Sequence, residues 1–297
     1  MFMTEPELTY EGRRLPRPHD EVVDQGLGFD IATLFNRRRA LRFLGLGAAG
    51  AAVAACSPST STPPSASTPT STTAPTTGAT SGSAAPVALS EIPEETAGPY
   101  PGDGSNGPDV LEQSGVVRSD IRSSFGGSSG TAQGVPMTLE LVIANLAQGG
   151  SPYAGTAVYV WQCDREGRYS MYTQGAQNEN YLRGVQIADA SGRVRFTSIF
   201  PACYPGRWPH IHFEVYPDQA SITDADKAIA TSQVALPQNV CDTVYAQPGY
   251  EQSVSNMRRL SLSTDMVFRD DSGALQLGTV TGDVTSGYTV TLNVGVR

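Results

Sequence analysis

Histidine and lysine are scarce in this chain of 297 residues. Lys227 is the single lysine, and after residue 55 the sequence carries 13 basic residues against 22 acidic ones. A basic surface that could displace counterions from phosphates is therefore lacking, which argues against nucleic acid as a partner. The three histidines are His19, His210 and His212, so imidazole chemistry beyond the N-terminal region depends on one pair.

The sequence also lacks an apolar run long enough to span a membrane. Its best candidate, residues 43–55, is short and rich in alanine and glycine. Arginines at 37–39 precede this run and Cys56 follows it, so residues 37–56 resemble a twin-arginine export signal that ends in a lipobox. We expect export to the cell envelope, with the membrane contacted only through a lipid on Cys56; secretion without a lipid is the alternative.

The remaining chain divides by composition. Residues 1–36 are polar and mixed in charge, and we expect them to be unstructured. Residues 57–90 form a linker rich in serine, threonine and proline, which buries too little apolar surface to fold. Residues 91–297 are predicted to be one folded domain, long enough to enclose a core.

Within that domain, short alternating apolar segments are separated by turns rich in glycine and aspartate, which predicts an all-β fold. The expected architecture is a β-sandwich of mixed and antiparallel strands with few short helices. Strands are predicted over 137–145, 157–161, 185–187, 194–199, 210–216, 228–236, 275–280 and 288–296. A helix is predicted over about 250–260.

The histidine pair lies in the predicted strand 210–216. Residues at i and i+2 of a strand project from the same face, so His210 and His212 could share a metal ion. Two imidazoles alone do not select the metal. A zinc hydrolase site, a ferrous oxygenase site completed by Glu214, and a ferric site completed by Tyr169 and Tyr204 stay open. Two alternatives that are not enzymes are a tethered binding module whose β-sandwich is stabilised by the metal, and a pair of surface histidines without metal.

Three cysteines follow the export signal: Cys163, Cys203 and Cys241. In an oxidising compartment one pair of them is expected to bridge. We favour Cys203 with Cys241, because this bridge would tie the loop before the histidines to the segment after them.

Four segments together resemble one family. They are residues 160–170 (VWQCDREGRYS), 183–186 (RGVQ), 196–201 (FTSIFP) and 204–213 (YPGRWPHIHF). In order and spacing they are similar to the core signature of the intradiol ring-cleavage dioxygenases. Residues 96–100 (TAGPY) resemble the segment that lines the substrate pocket in the protocatechuate branch.

The resemblance implies a reaction and a cofactor. A non-haem Fe(III) ion would be held by Tyr169, Tyr204, His210 and His212. The substrates would be a small aromatic diol and O2, and the ring would be cleaved between its two hydroxyl-bearing carbons to give a muconate-type diacid. Tyr204 would be the ligand that leaves the metal when the diol binds.

The resemblance also implies the residues around the substrate. Arg207 would act catalytically beside the reacting ring, and Gln233 would assist it in the pocket. Thr96 and Tyr100 would contact the substrate. One departure concerns the loop between Tyr204 and His210, which has only five residues and is shorter than in the catechol and protocatechuate enzymes. The helical N-terminal segment of the catechol enzymes is replaced here by the signal and the linker.

Overall fold

The computed structural model describes residues 89–297, together with Thr9–Tyr10 and Arg13–Arg14. The last two form short strands, β1 and β2, that pair antiparallel within the region expected to be unstructured. The predicted export signal, the lipidation site Cys56 and nearly all of the linker lie outside the described residues. No helix among the described residues is long and apolar enough to cross a membrane.

Strands dominate residues 89–297. They are β3 (Pro136–Asn145), β4 (Ser151–Pro152), β5 (Ala157–Trp161), β6 (Arg183–Ile187), β7 (Arg193–Ile199), β8 (His210–Tyr216), β9 (Ala230–Ala235), β10 (Thr279–Asp283) and β11 (Gly287–Val296). The α-helices are α1 (Gln238–Tyr245) and α2 (Glu251–Met257), and 3-10 turns cover Leu146–Gln148, Gln219–Thr223 and Ala225–Lys227. The all-β prediction is confirmed.

These strands form two sheets. In the first, the order is β10-β11-β3, and both β7 and β4 pair with the other edge of β3. The pair β11 and β3 is parallel and the remaining pairs are antiparallel. In the second sheet the order is β6-β5-β8-β9, and every pair is antiparallel. The sandwich is therefore mixed, as predicted.

The core lies between the sheets and is built from alternate residues of each strand. Val160 of β5 and Phe213 of β8 are fully buried in the cluster that also holds Leu139 of β3 and Val290 of β11. Truncating a buried phenylalanine such as Phe213 to alanine costs about 3–5 kcal/mol, since a cavity replaces the ring. This packing sets the register of β8.

The opposite face of the second sheet is buried as well. Tyr159 and Trp161 of β5 lie there in a separate apolar cluster with Tyr169, and Tyr100 and Tyr204 pack against it. Every residue of β8 is consequently buried, on both faces of the strand. His210 and His212 therefore lie beneath loops, on the side of the sheet away from the main core.

The structure differs from the prediction in two elements. Helix α1 was not predicted, although three of its residues are buried. The predicted strand 275–280 begins later, at Thr279, because Leu277 N donates to Gly273 O in a turn. Leu275 and Leu277 are about 40 % exposed, so their apolar character does not mark a strand face.

The predicted disulfide between Cys203 and Cys241 is not formed. Cys163, Cys203 and Cys241 are all free and buried. The thiol of Cys203 lies 3.5 Å from the carbonyl oxygen of Arg207, and Cys241 is fully buried in α1. The loop before the histidines is instead held to α2 by hydrogen bonds from Cys203 N to Ser253 Oγ and from Asn256 Nδ2 to Cys203 O, at 3.0 and 2.8 Å.

Candidate metal centre and active site

The neighbouring strands hold the two histidines in place. His212 of β8 lies opposite Trp161 of β5 and opposite Gln233 of β9. The indole of Trp161 stacks on the His212 ring with centroids 4.8 Å apart and planes within 8° of parallel. This stacking restricts the imidazole to one orientation on the strand face.

Three donor atoms converge at the start of β8. His210 Nε2 lies 3.1 Å from His212 Nε2 and 3.2 Å from Tyr204 Oη. His210 Nδ1 is hydrogen-bonded to the carbonyl oxygen of Trp208, which accepts and therefore assigns the ring proton to Nδ1. The lone pair of His210 Nε2 then points into the space between these three side chains.

Tyr169 completes the group. Its side chain is buried and its hydroxyl has no hydrogen-bond partner in the structure. Its ring meets that of Tyr204 edge-on at 5.8 Å and that of His212 edge-on at 6.1 Å. An orphaned buried hydroxyl is costly unless something binds it. The structure thus brings together all four residues that the resemblance assigns as ligands.

Burial controls the protonation of these four groups. It lowers the pKa of His210 to about 3, helped by the charge of Arg207, and lowers that of His212 well below its ordinary value. Burial likewise raises the pKa of Tyr204 to about 12 and that of Tyr169 well above its ordinary value. All four are therefore neutral at neutral pH when no metal is bound.

A metal ion fits this donor set. Two donor atoms bound to one ion at roughly 2.1 Å and at right angles are about 3 Å apart, close to the spacings found here. Each neutral imidazole can offer one nitrogen lone pair to a metal, and a strongly charged cation would displace the tyrosine protons. Glu214 does not join the group: its carboxylate accepts a hydrogen bond from Tyr216 Oη at 2.7 Å.

Arg207 and Gln233 lie beside the donor atoms and are bonded to each other. Arg207 Nη2 donates to Gln233 Oε1 at 2.6 Å, and Gln233 Nε2 donates to Thr96 O at 3.1 Å. Arg207 also pairs with Asp265 through Nε, at 3.0 Å. Arg207, Gln233 and Asp265 are all buried, so this chain of bonds is shielded from water.

Residues 96–100 pass over the histidines. A β-carbon on Gly98 would lie 3.2 Å from His212 Cε1, so the backbone there approaches the imidazole closely. Thr96 Oγ1 accepts a hydrogen bond from Gly98 N at 3.0 Å, and the ring of Tyr100 lies 5.0 Å from that of Tyr169. The structure therefore places Thr96 and Tyr100 at the same site as the four donor residues.

Comparison with known proteins agrees with this geometry. A family model described as "Dioxygenase" matches residues 106–224, the part of the chain that contains all four donor residues. The protocatechuate 3,4-dioxygenase beta chain of Burkholderia cepacia is 36 % identical over 98 residues, which are 29 % of this chain and 42 % of that one. These matches support the intradiol ring-cleavage dioxygenase family for the region 106–224 of the chain.

The chain is also similar to one further curated protein and, in its fold, to one solved structure. The hydroxyquinol 1,2-dioxygenase of Rhizobium sp. (strain MTP-10005) is 39 % identical over 56 residues, which are 19 % of each chain. An intradiol ring-cleavage dioxygenase from Tetranychus urticae shares the fold with a TM-score of 0.55 and 23 % identity, over 70 % of this chain and 95 % of that one. The aligned segments thus span less than half of the two curated relatives.

Intradiol dioxygenases use non-haem iron. In this chain, iron suits the two phenol oxygens and two imidazole nitrogens, which are the donors found together. Among the described residues, no group of three or more His, Cys, Asp or Glu side chains is arranged to hold a metal.

Arg183 is a buried residue bonded to Ser170, which follows Tyr169, and it was not predicted as a functional residue. It is 1 % exposed and has no carboxylate partner among its hydrogen bonds. Instead it donates to the carbonyl oxygens of Tyr100, Pro101 and Ser170, at 2.9, 2.6 and 2.9 Å. The guanidinium of Arg183 therefore links the backbone at Tyr100 and Pro101 to Ser170, the residue that follows Tyr169.

Asp265 was also missed. It lies in the stretch 261–265 (SLSTD), which reads as an ordinary polar loop. The sequence contains no spacing that would connect it to Arg207, 58 residues earlier. The structural role of Arg183, by contrast, could have been predicted from the sequence. An arginine at the start of an apolar strand must find hydrogen-bond acceptors for its donors inside the protein.

Proposed function

We propose that the domain is a non-haem Fe(III)-dependent dioxygenase that cleaves catechol-type aromatic rings between the two hydroxyl-bearing carbons. The substrates are a small aromatic diol and O2, and both oxygen atoms enter the muconate-type diacid. The observation that carries the proposal is the convergence of Tyr204 Oη and His212 Nε2 on His210 Nε2, at 3.2 and 3.1 Å, with the unpartnered hydroxyl of Tyr169 in the same cluster of rings.

Tyr169, Tyr204, His210 and His212 would hold the ion. A ferric ion bound there would chelate the two diol oxygens and draw electron density from the ring, which makes a ring carbon reactive towards O2. The preference for Fe(III) follows from the two phenol oxygens, since anionic oxygen ligands stabilise the higher oxidation state.

Tyr204 is better placed than Tyr169 to take a proton from the substrate. Tyr204 is only partly buried and lies on the loop that leads into β8, whereas Tyr169 is 2 % exposed and lies under Tyr100. The side chain of Tyr204 can therefore turn away from the histidines without disturbing the core. Its Oη would accept one diol proton and so allow the diol oxygen to take its place.

Arg207 supplies positive charge where the ring becomes anionic. Its guanidinium is buried, so water screens its charge weakly, and its bond to Gln233 fixes its direction. A preorganised donor of this kind stabilises developing charge without reorganising during the reaction. Gln233 acts through Arg207 and through its bond to Thr96 O.

The loop 96–100 limits the access of water. Gly98 lies against the His212 ring, and Tyr100 covers Tyr169. These residues would contact the ring edge of the substrate opposite the bound oxygens. The proposal includes the export of the protein and the lipid on Cys56 that the sequence predicts, which would present the enzyme to aromatic compounds outside the cytoplasm.

Oxygen uptake tests the activity. The iron-loaded protein should consume one O2 per diol with catechol, protocatechuate or hydroxyquinol, and the product should be the diacid formed by cleavage between the hydroxyls. A 1,4-diol is the matched control, because its oxygens are too far apart to chelate one ion. Lack of uptake with every adjacent diol would refute the proposal, as would a semialdehyde product from cleavage beside the diol.

A further inference from the structure

The guanidinium of Arg207 is held along one edge. Nε donates to Asp265 Oδ2 at 3.0 Å, and Nη2 donates both to Asp265 Oδ1 at 3.4 Å and to Gln233 Oε1 at 2.6 Å. Nη1 takes part in none of these bonds. The bonded edge fixes the plane of the guanidinium, and the Nη1 side is the one that can meet an oxygen of the substrate.

Asp265 is itself rigidly fixed. It is fully buried, and Oδ1 accepts hydrogen bonds from Val267 N and Phe268 N at 2.9 and 3.2 Å. Oδ2 accepts from Trp208 N at 2.6 Å in addition to Arg207. Burial alone would raise the pKa of this carboxyl, but the charge of Arg207 and the backbone donors hold the pKa below its ordinary value. The carboxylate is therefore ionised at neutral pH.

Two of the residues that Asp265 binds, Arg207 and Trp208, are consecutive in the five-residue loop between Tyr204 and His210. Trp208 also connects Asp265 to a candidate metal ligand, since the carbonyl oxygen of Trp208 accepts a hydrogen bond from His210 Nδ1. The side chain of Trp208 is buried in the main core, so Asp265 adds a polar anchor to a loop that is already packed on that side. One carboxylate thus orients both the charged side chain and the backbone that enters β8.

We propose that Asp265 is a positioning residue for ring cleavage: it holds Arg207 so that the Nη1 edge faces the bound ring, and it does not touch the substrate itself. The inference rests on the dioxygenase function proposed above. The buried pair also resists rearrangement, because moving either partner would leave an uncompensated charge in the interior.

Asp265→Asn tests this role with almost no change in size. The amide oxygen can still accept from Val267 N and Phe268 N, but the amide nitrogen would face the donors of Arg207 and Trp208. We expect kcat/KM to fall by about 100-fold, as for a catalytic group displaced by roughly 1 Å. Iron content and visible colour should remain, because the four metal ligands are intact. The control is Asp270→Asn, the same change at an exposed position of the same segment, which should behave as wild type.

A mutant cycle distinguishes positioning from a general structural effect. In an Arg207→Gln background, Asp265→Asn should cause a much smaller loss of kcat/KM than it does alone, because the side chain that Asp265 positions is already gone and only its bond to Trp208 N is left to lose. Losses that multiply would overturn the inference, and so would a coloured Asp265→Asn enzyme with the wild-type kcat/KM. If Asp265→Asn alone is insoluble, the double variant should recover soluble protein, since it removes both buried charges; failure to recover would contradict the pairing.

The same experiment separates this inference from the proposed function. A wild-type protein that binds iron but consumes no O2 refutes the activity and the inference together. A wild-type protein that is active, with an equally active Asp265→Asn variant, refutes only the role of Asp265.

Discussion

Comparing Gly98→Ala with Gly149→Ala should separate the contact that residue 98 makes with His212 from the backbone strain that both substitutions cause. Gly98 has φ +74°, where a β-carbon costs about 1–2 kcal/mol. Its new β-carbon would also lie 3.2 Å from His212 Cε1, so the ring or the loop must move by a few tenths of an ångström. Gly149 is the matched control: its φ is +71°, and a β-carbon there meets nothing within 4 Å. Both variants carry the backbone cost, and only Gly98→Ala disturbs the metal centre.

Thermal unfolding and steady-state kinetics together measure the difference. For a domain of this size, each kcal/mol lowers the melting temperature by about 2–4 °C, so both variants should melt a few degrees below wild type. Gly98→Ala alone should lose catalytic efficiency, by about tenfold, since a displacement of 1 Å costs about 100-fold. Equal activity in the two variants would refute the close approach of the loop to His212.

Two further predictions concern stability. Arg183→Met should lower the free energy of unfolding by at least about 2 kcal/mol, because it removes the buried donors of the Tyr100 and Ser170 carbonyl oxygens. Arg193→Met, which breaks a partly exposed pair with Glu140, should cost at most about 1 kcal/mol; equal losses in urea unfolding would contradict the anchoring role. In the metal-free protein, burial holds the pKa of His210 at about 3 and that of His212 well below 6.5. The unfolded chain then binds more protons than the folded one below pH 6.5, so stability should fall on acidification by about 2 kcal/mol per histidine between pH 7 and pH 5. His210→Gln should halve this loss, and an unchanged urea midpoint at pH 5 would refute it.

The sequence was sufficient to predict the strand that carries the two histidines. The prediction of 210–216 matches β8 in both bounds, because the alternation of His210, His212 and Glu214 with apolar residues has only one periodicity that fits. Tyr169 and Tyr204 could be selected among 12 tyrosines only through the family resemblance. Periodicity carries no information about which loops fold over a strand face.

Long-range contacts explain the errors. Asp265 reaches Arg207 across 58 residues, and no local pattern marks a polar residue that becomes fully buried. The preference for a bridge between Cys203 and Cys241 came from their places along the chain, whereas the Cys203 thiol lies against the carbonyl oxygen of Arg207. The strand was predicted to begin too early because Leu275 and Leu277, which are exposed leucines in a turn, have the same alternating pattern as an apolar strand face.

The visible spectrum of the iron-loaded protein tests the ferric site most directly. Charge transfer from tyrosinate to Fe(III) should give wild-type protein a strong red colour, and Tyr169→Phe should weaken it or release the iron. Tyr172→Phe is the control, because the Tyr172 hydroxyl bonds to Asn106 and to Gly102 N and not to the donor group. A colourless wild-type protein at full iron occupancy, or a Tyr169→Phe variant with the wild-type spectrum and activity, would contradict the account.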